Sequence, residues 1–296
     1  MKTIFFVASL TFVVVVSSAQ KQRSKPYDAD FKQQSQYSPL YTGSYALVVG
    51  VNNYSDNSWP DLDEANRNAQ DVADALKNNN FTVDLLLNPS YDQLLKAMKE
   101  FEKMGKNPDD QLLFYFAGHG VKDINSDDRG YVIPADAPTQ EDEKFLDRTF
   151  ELDYFLSCAE RIVSKHVLFM FDSCFGGTIF ETQKGEPVEF SRNIETATTN
   201  KARQFITSGA AEEEVPDDSR FCEIFLDAIN PSLPEADCCP HGGDGYVTFD
   251  ELKMYIETEM VERRAKTSPQ FGSHKYKEML TPGFKEGDFV FQVPKK

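Results

Sequence analysis

Two residues combine a reactive side chain with the setting that nucleophilic catalysis needs: a thiol at Cys174 and an imidazole at His119. A thiolate attacks an acyl carbon well, but it needs a base to form it and donors to hold the resulting oxyanion. A lone Cys after a strand is usually an inert buried thiol, and a lone His usually meets a local hydrogen bond. Here the two share one design. Cys174 sits in Asp172-Ser173-Cys174-Phe175-Gly176-Gly177 and His119 in Ala117-Gly118-His119-Gly120, each after an apolar run and each beside glycine. The chain's Cys and His residues show no zinc-ligand spacing, so a zinc reading fails, and no glycine-rich phosphate loop is present.

The elements that must carry these residues read as strands. Val167 to Phe171 are five consecutive apolar residues before Asp172, and Gln111 to Ala117 runs apolar into His119, the pattern of short strands buried on both faces. In an open α/β sheet, chemistry gathers at the carboxyl ends of such strands. Residues 45–49 and 81–87 supply two more strands, 206–211 a fifth, and 289–293 a final one. Between them the spacing predicts a helix capped by Asp61, with Leu62, Ala65, Ala69, Val72, Ala73 and Leu76 on one face. A second helix opens with the capping box Ser90/Gln93 and closes at Gly105; a third carries Leu152, Phe155, Leu156, Ala159, Ile162 and Val163; a later one passes through Phe221, Phe225, Leu226 and Ile229. Residues 244–251 resemble the second half of an EF-hand loop, but Pro240 and Gly242 stand at two ligand positions, so Thr248 with Glu251 reads as a capping box. Strands alternating with helices argue for a mainly parallel sheet covered on both faces.

The two motifs and their spacing of 55 residues resemble the caspase superfamily, in which a His about 50 residues before the Cys is a local signature. The likeness extends to Tyr45-Ala-Leu-Val-Val-Gly50-Val-Asn-Asn-Tyr54, to Gly130 through Pro138 and to Ile206 through Ala211, and it is strongest to the metacaspase and paracaspase branches. It implies a caspase-like, doubly wound, mainly parallel six-stranded sheet with helices on both faces. It also implies a cysteine endopeptidase with Cys174 as nucleophile, His119 as general base and then acid, and the backbone N–H groups of Gly120 and Cys174 as the oxyanion hole. Asp172 takes the position that in those branches pairs with a basic substrate side chain, so cleavage after Arg or Lys is expected. The family's second pocket carboxylate falls at Asn68, which accepts a hydrogen bond without adding charge, and Glu212 or Glu213 line the same pocket. The alternative function is a caspase-like binding module or decoy that leaves the site unused.

The 296 residues suit one substantial core. Residues 1–19 read as a secretory signal peptide, with Lys2, an apolar run from Ile4 to Val16 and small residues Ser17 and Ala19 before the cut, so the protein is expected to be secreted. Residues 20–43 are polar and aperiodic, a linker or pro-segment, and 44–296 form the peptidase domain. Residues 178–201 look like the loop many caspases cleave on maturation. No later run is long enough to span a membrane. The net charge of −17 argues against nucleic acid or an anionic membrane as partner and for protein or peptide substrates, cationic ones included. No feature specifies an oligomeric state. The chemistry needs no cofactor, while Asp123, Asn125, Asp127 and Asp128 offer oxygen ligands for a weak calcium site, with a solvated acidic turn as the alternative. Of five cysteines, Cys174 is the one to stay a thiol; Cys158, Cys222, Cys238 and Cys239 allow up to two disulfides, with Cys222 to Cys238 or Cys239 preferred and buried thiols at 158 and 222 as the other reading. Asn53 and Asn80 stand in glycosylation sequons.

Overall fold

Every residue of Gln111–Ala117 is buried, and alternate ones serve opposite layers of the molecule. Leu113, Tyr115 and Ala117 join one apolar cluster; Leu112, Phe114 and Phe116 join another. That division is the period of two of a strand with cover on both faces. The computed structural model describes residues 40–123, 126–173, 194–210, 213–231, 236–238, 244–275 and 286–293, which fall within one compact unit, Tyr37–Lys296.

In chain order the elements are β1 (Ser44–Gly50), α1 (Ala65–Asn78), β2 (Thr82–Leu87), α2 (Tyr91–Met104), β3 (Gln111–Ala117), β4 (Gly120–Asp123), β5 (Ser126–Val132) and β6 (Phe150–Glu151). There follow α3 (Leu152–Arg161), β7 (His166–Asp172), α4 (Ile194–Thr199), β8 (Ala202–Thr207), α5 (Arg220–Ala228), β9 (Tyr246–Thr248), α6 (Phe249–Glu262), β10 (Gln270–Ser273) and β11 (Val290–Gln292). The main sheet has six strands in the order β10-β8-β7-β3-β1-β2, parallel except for β10. On one face lie α1, α5 and α6, with Val72, Leu76, Phe225 and Ile256 against Val48, Leu113 and Met170. On the other lie α2 and α3, with Met98, Phe101 and Phe155 against Phe114, Phe169 and Phe171. Phenylalanines dominate this second layer: Phe114 and Phe155 pack at 5.2 Å, and Phe169 stacks on Phe205 at 5.0 Å. Burying each such ring is worth about 1.5–3 kcal/mol, so this layer contributes strongly to holding α2 and α3 on the sheet.

Several elements follow the sequence reading directly. The Ser90/Gln93 and Thr248/Glu251 capping boxes both form, and Gly105 ends α2. Others depart from it. Helix α1 begins at Ala65 and its N-cap side chain makes no cap. Asp61 turns away to accept the Tyr54 N–H at 3.0 Å, and the free N–H groups of Asp63 and Glu64 are met by Asp217, more than 150 residues later, at 2.5 and 3.2 Å. The fifth strand starts at Ala202, not at 206, because its first half is polar: Arg203 is fully buried and spends all five N–H donors on carbonyl oxygens. Its guanidinium reaches the carbonyls of Ala159, Ile162, Ser164, Lys165 and Ala202 at 2.6 to 2.9 Å, satisfying acceptors left over where α3 ends. The sixth strand is β10, and the terminal segment instead pairs as β11 with β9 in a separate two-stranded sheet. A further three-stranded sheet, β4-β5-β6, occupies residues read as an acidic loop and its sequel.

The expected bridge from Cys222 does not form. Cys222 is a free thiol in α5, buried against α1, where its Sγ lies 3.7 Å from the Asn68 carbonyl oxygen. Cys158 is likewise free and buried. Burial pushes both thiols well above their ordinary range, which leaves them inert. Packing begins ahead of β1: Tyr41 is buried with its hydroxyl 2.6 Å from His166 Nδ1, and the Thr42 N–H donates to the Asp109 carbonyl. Among the described residues no helix is long and apolar enough to cross a membrane.

Candidate active site

Register places the two motifs side by side. Ala117 at the end of β3 pairs with Asp172 at the end of β7, and with Gly50 at the end of β1, so the residues that follow emerge from adjacent carboxyl ends. The Gly118 N–H donates back to the Asp172 carbonyl at 3.4 Å, fastening the two ends together. A Cβ on Gly118 would lie 2.9 Å from Phe116 Cζ and 3.0 Å from the Tyr54 hydroxyl, so only glycine fits there.

His119 is half-buried, with its Nε2 2.7 Å from the Pro60 carbonyl oxygen. A carbonyl only accepts, so Nε2 carries the proton in this contact and Nδ1 is left as the basic nitrogen. Pro60 reaches the ring because residues 52–63 fold back over it. Tyr54 lies against the imidazole at 4.8 Å between centroids and Trp59 at 6.2 Å, while the Trp59 indole donates to the Pro138 carbonyl at 3.1 Å. Neither Tyr54 nor Pro60 carries a sequence signal for this role, although Tyr54 ends one of the stretches that raised the resemblance. Cys174, two residues beyond β7, lies outside the described residues.

Asp172 continues the even-numbered face of β7 after Leu168 and Met170, so it looks toward α1 and α5. Its Oδ2 accepts from the Tyr115 hydroxyl at 3.1 Å. Burial pushes its carboxyl up to about 6; the hydroxyls of Ser208 and Tyr115 oppose that, and the charges of Asp217 and Asp218 add to it. Asn68 is buried nearby on α1. A cleft of about 520 Å³ joins these residues to the base, lined among others by Asn68, His119, Gly120, Asp172, Glu213 and Asp217.

Glu213 lines the cleft with its carboxylate already engaged. It accepts from the N–H groups of Ala210 and Ser268 and from the Ser268 hydroxyl, at 2.9, 2.6 and 2.9 Å. Burial acts to raise its pKa, but those three bonds outweigh it and hold the group below its usual value. Glu212 lies outside the described residues. Sequence reasoning passed over Asp217 and Asp218 as pocket residues, since an acidic pair in a polar loop reads as solvated surface. Of the four calcium candidates, Asp123 ends β4 opposite Ser126, Asp127 and Asp128 follow on β5, and Asn125 is outside the described residues. Among the described residues no group of three or more His, Cys, Asp or Glu could hold a metal ion.

Comparison with known proteins bears on this arrangement. Protein GSU0716 from Geobacter sulfurreducens matches with a TM-score of 0.54 at 17% identity, over 86% of this chain and 100% of that one. Caspase-1 from Spodoptera frugiperda matches at 0.56 and 12% identity, over 92% and 97%. The Drosophila initiator caspase Dronc matches at 0.50 and 14% identity, over 88% and 92%. At these identities the likeness is one of fold. No curated protein matches the chain. The family model of the caspase domain matches residues 44–275, a span that takes in both motifs and the whole six-stranded sheet, and the chain therefore belongs to the caspase-domain family.

Proposed function

We propose that the chain is a secreted cysteine endopeptidase of metacaspase or paracaspase type that cuts after Arg or Lys. The observation that carries the specificity is Asp172, a carboxylate at the foot of the cleft, under the field of Asp217 and Asp218, one strand away from His119. Family membership supports a cysteine peptidase acting on protein substrates. In this reading His119 Nδ1 takes the proton of the Cys174 thiol, the thiolate adds to the scissile carbonyl carbon, and the Gly120 and Cys174 N–H groups hold the oxyanion. The imidazolium then gives its proton to the leaving amine, and water hydrolyses the acyl-enzyme with His119 again as base. Pro60 keeps Nε2 protonated throughout, so that Nδ1 alone shuttles. A basic substrate side chain enters toward Asp172, where a charged hydrogen bond is worth about 1.5–3 kcal/mol. Secretion rests on residues 1–19. No step needs a cofactor, and calcium would act at most on the hairpin beginning at Gly120.

The test uses the mature protein on matched peptides with Arg, Lys, Asp or norleucine before the cut bond. Cleavage after Arg and Lys, lost in Cys174→Ala and His119→Ala, is expected. Near-normal turnover in either variant removes the dyad, faster cutting after Asp removes the specificity, and activity abolished by EGTA makes calcium part of the mechanism.

A further inference from the structure

We propose that Tyr54 is a positioning residue for the His119 base, holding both its main chain and its ring through one side chain. This rests on the dyad reading above, but the geometry behind it is independent of which peptide is cut. The His119 N–H donates to the Tyr54 hydroxyl oxygen at 2.7 Å. That hydroxyl in turn points its own proton to the Val51 carbonyl, 3.3 Å away and one residue past the end of β1. Oxygen and proton of one phenol thus tie the histidine's backbone to the neighbouring strand. The same side chain lays its ring against the imidazole, at 4.8 Å and 43°.

Three neighbours hold Tyr54 in turn. Its N–H donates to Asp61 at 3.0 Å, the Ser55 N–H donates to the Ala135 carbonyl, and the glycine at 118 gives its hydroxyl room. Asp61 lies in the same fold-back that brings the Pro60 carbonyl to His119 Nε2, so Tyr54 links the support of the ring to the support of the main chain. The part-buried His119 N–H has no partner in a strand ladder, because β3 ends at Ala117 and β4 begins at Gly120. Without the phenol it would be left without an acceptor, and the residue would move to find one. Movement there also displaces the next amide, that of Gly120, on which the oxyanion depends. Misplacement of a catalytic group lowers turnover more than binding.

The test has an arm on the wild-type protein and an arm on variants. In the wild type, amide exchange at His119 is slow despite its place between strands; free exchange there overturns the proposal whatever the protein cleaves. In Tyr54→Phe the ring stays and the hydroxyl goes. His119 exchange then speeds up, and kcat per titrated active site falls about tenfold with KM within about twofold of wild type. Tyr54→Leu removes the ring contact as well and falls further. A merely structural tyrosine gives fewer active sites and a lower Tm at unchanged kcat per site, and that result refutes the assignment. If the wild type cleaves no peptide, the peptidase reading fails, while exchange at His119 in wild type and Tyr54→Phe still decides the role of Tyr54.

Discussion

Replacing Asp172 by Asn tests the pocket through pH, because the carboxyl is held at about 6 before any substrate arrives. A cationic side chain binds the ionised form. In the wild type, kcat/KM for an Arg peptide therefore falls as the pH drops below about 6, approaching tenfold per unit as one proton competes with the substrate. An otherwise identical peptide with a neutral side chain lacks that component, so the ratio of the two isolates Asp172 from any titration elsewhere in the site. At pH 7.5 the carboxylate is ionised, and the preference for Arg over the neutral peptide should exceed about tenfold, from the 1.5–3 kcal/mol of a charged hydrogen bond. Asp172→Asn abolishes both the preference and its pH dependence. The sign for stability is opposite. A carboxyl raised from its ordinary 3.8 to about 6 binds more protons folded than unfolded in that window, so the folded state loses stability as pH rises from about 4 to 6. The loss is at most about 3 kcal/mol at 1.36 kcal/mol per unit, less because the group opens to the cleft. Urea unfolding should accordingly find Asp172→Asn more stable than wild type at pH 7.5 and equal to it at pH 3.5. A ratio that stays flat from pH 5 to 8 in the wild type, or survives in Asp172→Asn, refutes the pocket.

His166 is buried as the neutral form, accepting from Tyr41 and donating to the Asn200 carbonyl, and burial takes its pKa down to about 3. The unfolded chain therefore takes up this proton first, and stability should fall by about 1.4 kcal/mol per unit as pH drops below about 6.5, a slope absent in His166→Gln by urea titration. Arg203→Met removes a donor from five carbonyl acceptors, of which that of Lys165 keeps the Ala202 N–H, and should cost about 3–5 kcal/mol, read as a lower urea midpoint; a loss under about 1 kcal/mol would show that water replaces the guanidinium easily. Asp217→Asn keeps an acceptor for the start of α1 but removes a charge that raises Asp172, so the pH midpoint of the Arg-over-neutral ratio should move below that of the wild type, and an unmoved midpoint would separate Asp217 from the pocket.

The central strands were readable because burial on both faces leaves no room for polar residues: β1, β3 and β7 show as apolar runs, and the motifs follow their ends. β8 was readable only in its second half, since Arg203 and Gln204 satisfy their polarity inside the fold, with Arg203 on carbonyls and Gln204 on Asp288. Short strands such as β4 and β5 carry Asp, Ser and Gly, the composition of a turn, and only pairing with each other makes them strands. The sequence offers Asp61 as the cap of α1, yet it is Asp217, distant in sequence, that meets the N–H groups ahead of the helix. Tyr54 and Pro60 stayed hidden as supports of His119 for the same reason: the contacts span 65 and 59 residues of chain, and no local periodicity encodes a loop folding back.

Asp217 also resolves how acids gather at one end of the sheet without driving the loops apart. Its carboxylate accepts from the N–H groups of Asp63 and Glu64 just ahead of α1, at the positive end of the helix dipole. Glu213, four residues earlier, is neutralised in a similar way by two backbone N–H groups and a hydroxyl. Asp172 differs from both. The donor that reaches its carboxyl is the neutral Tyr115 hydroxyl, its backbone carbonyl is taken by Gly118, and its environment favours the proton. Of these three carboxylates it is the one whose charge still awaits a partner, and a donor bearing a full positive charge supplies it better than water can. On the proposed reading, an Arg or Lys side chain of a substrate is such a donor.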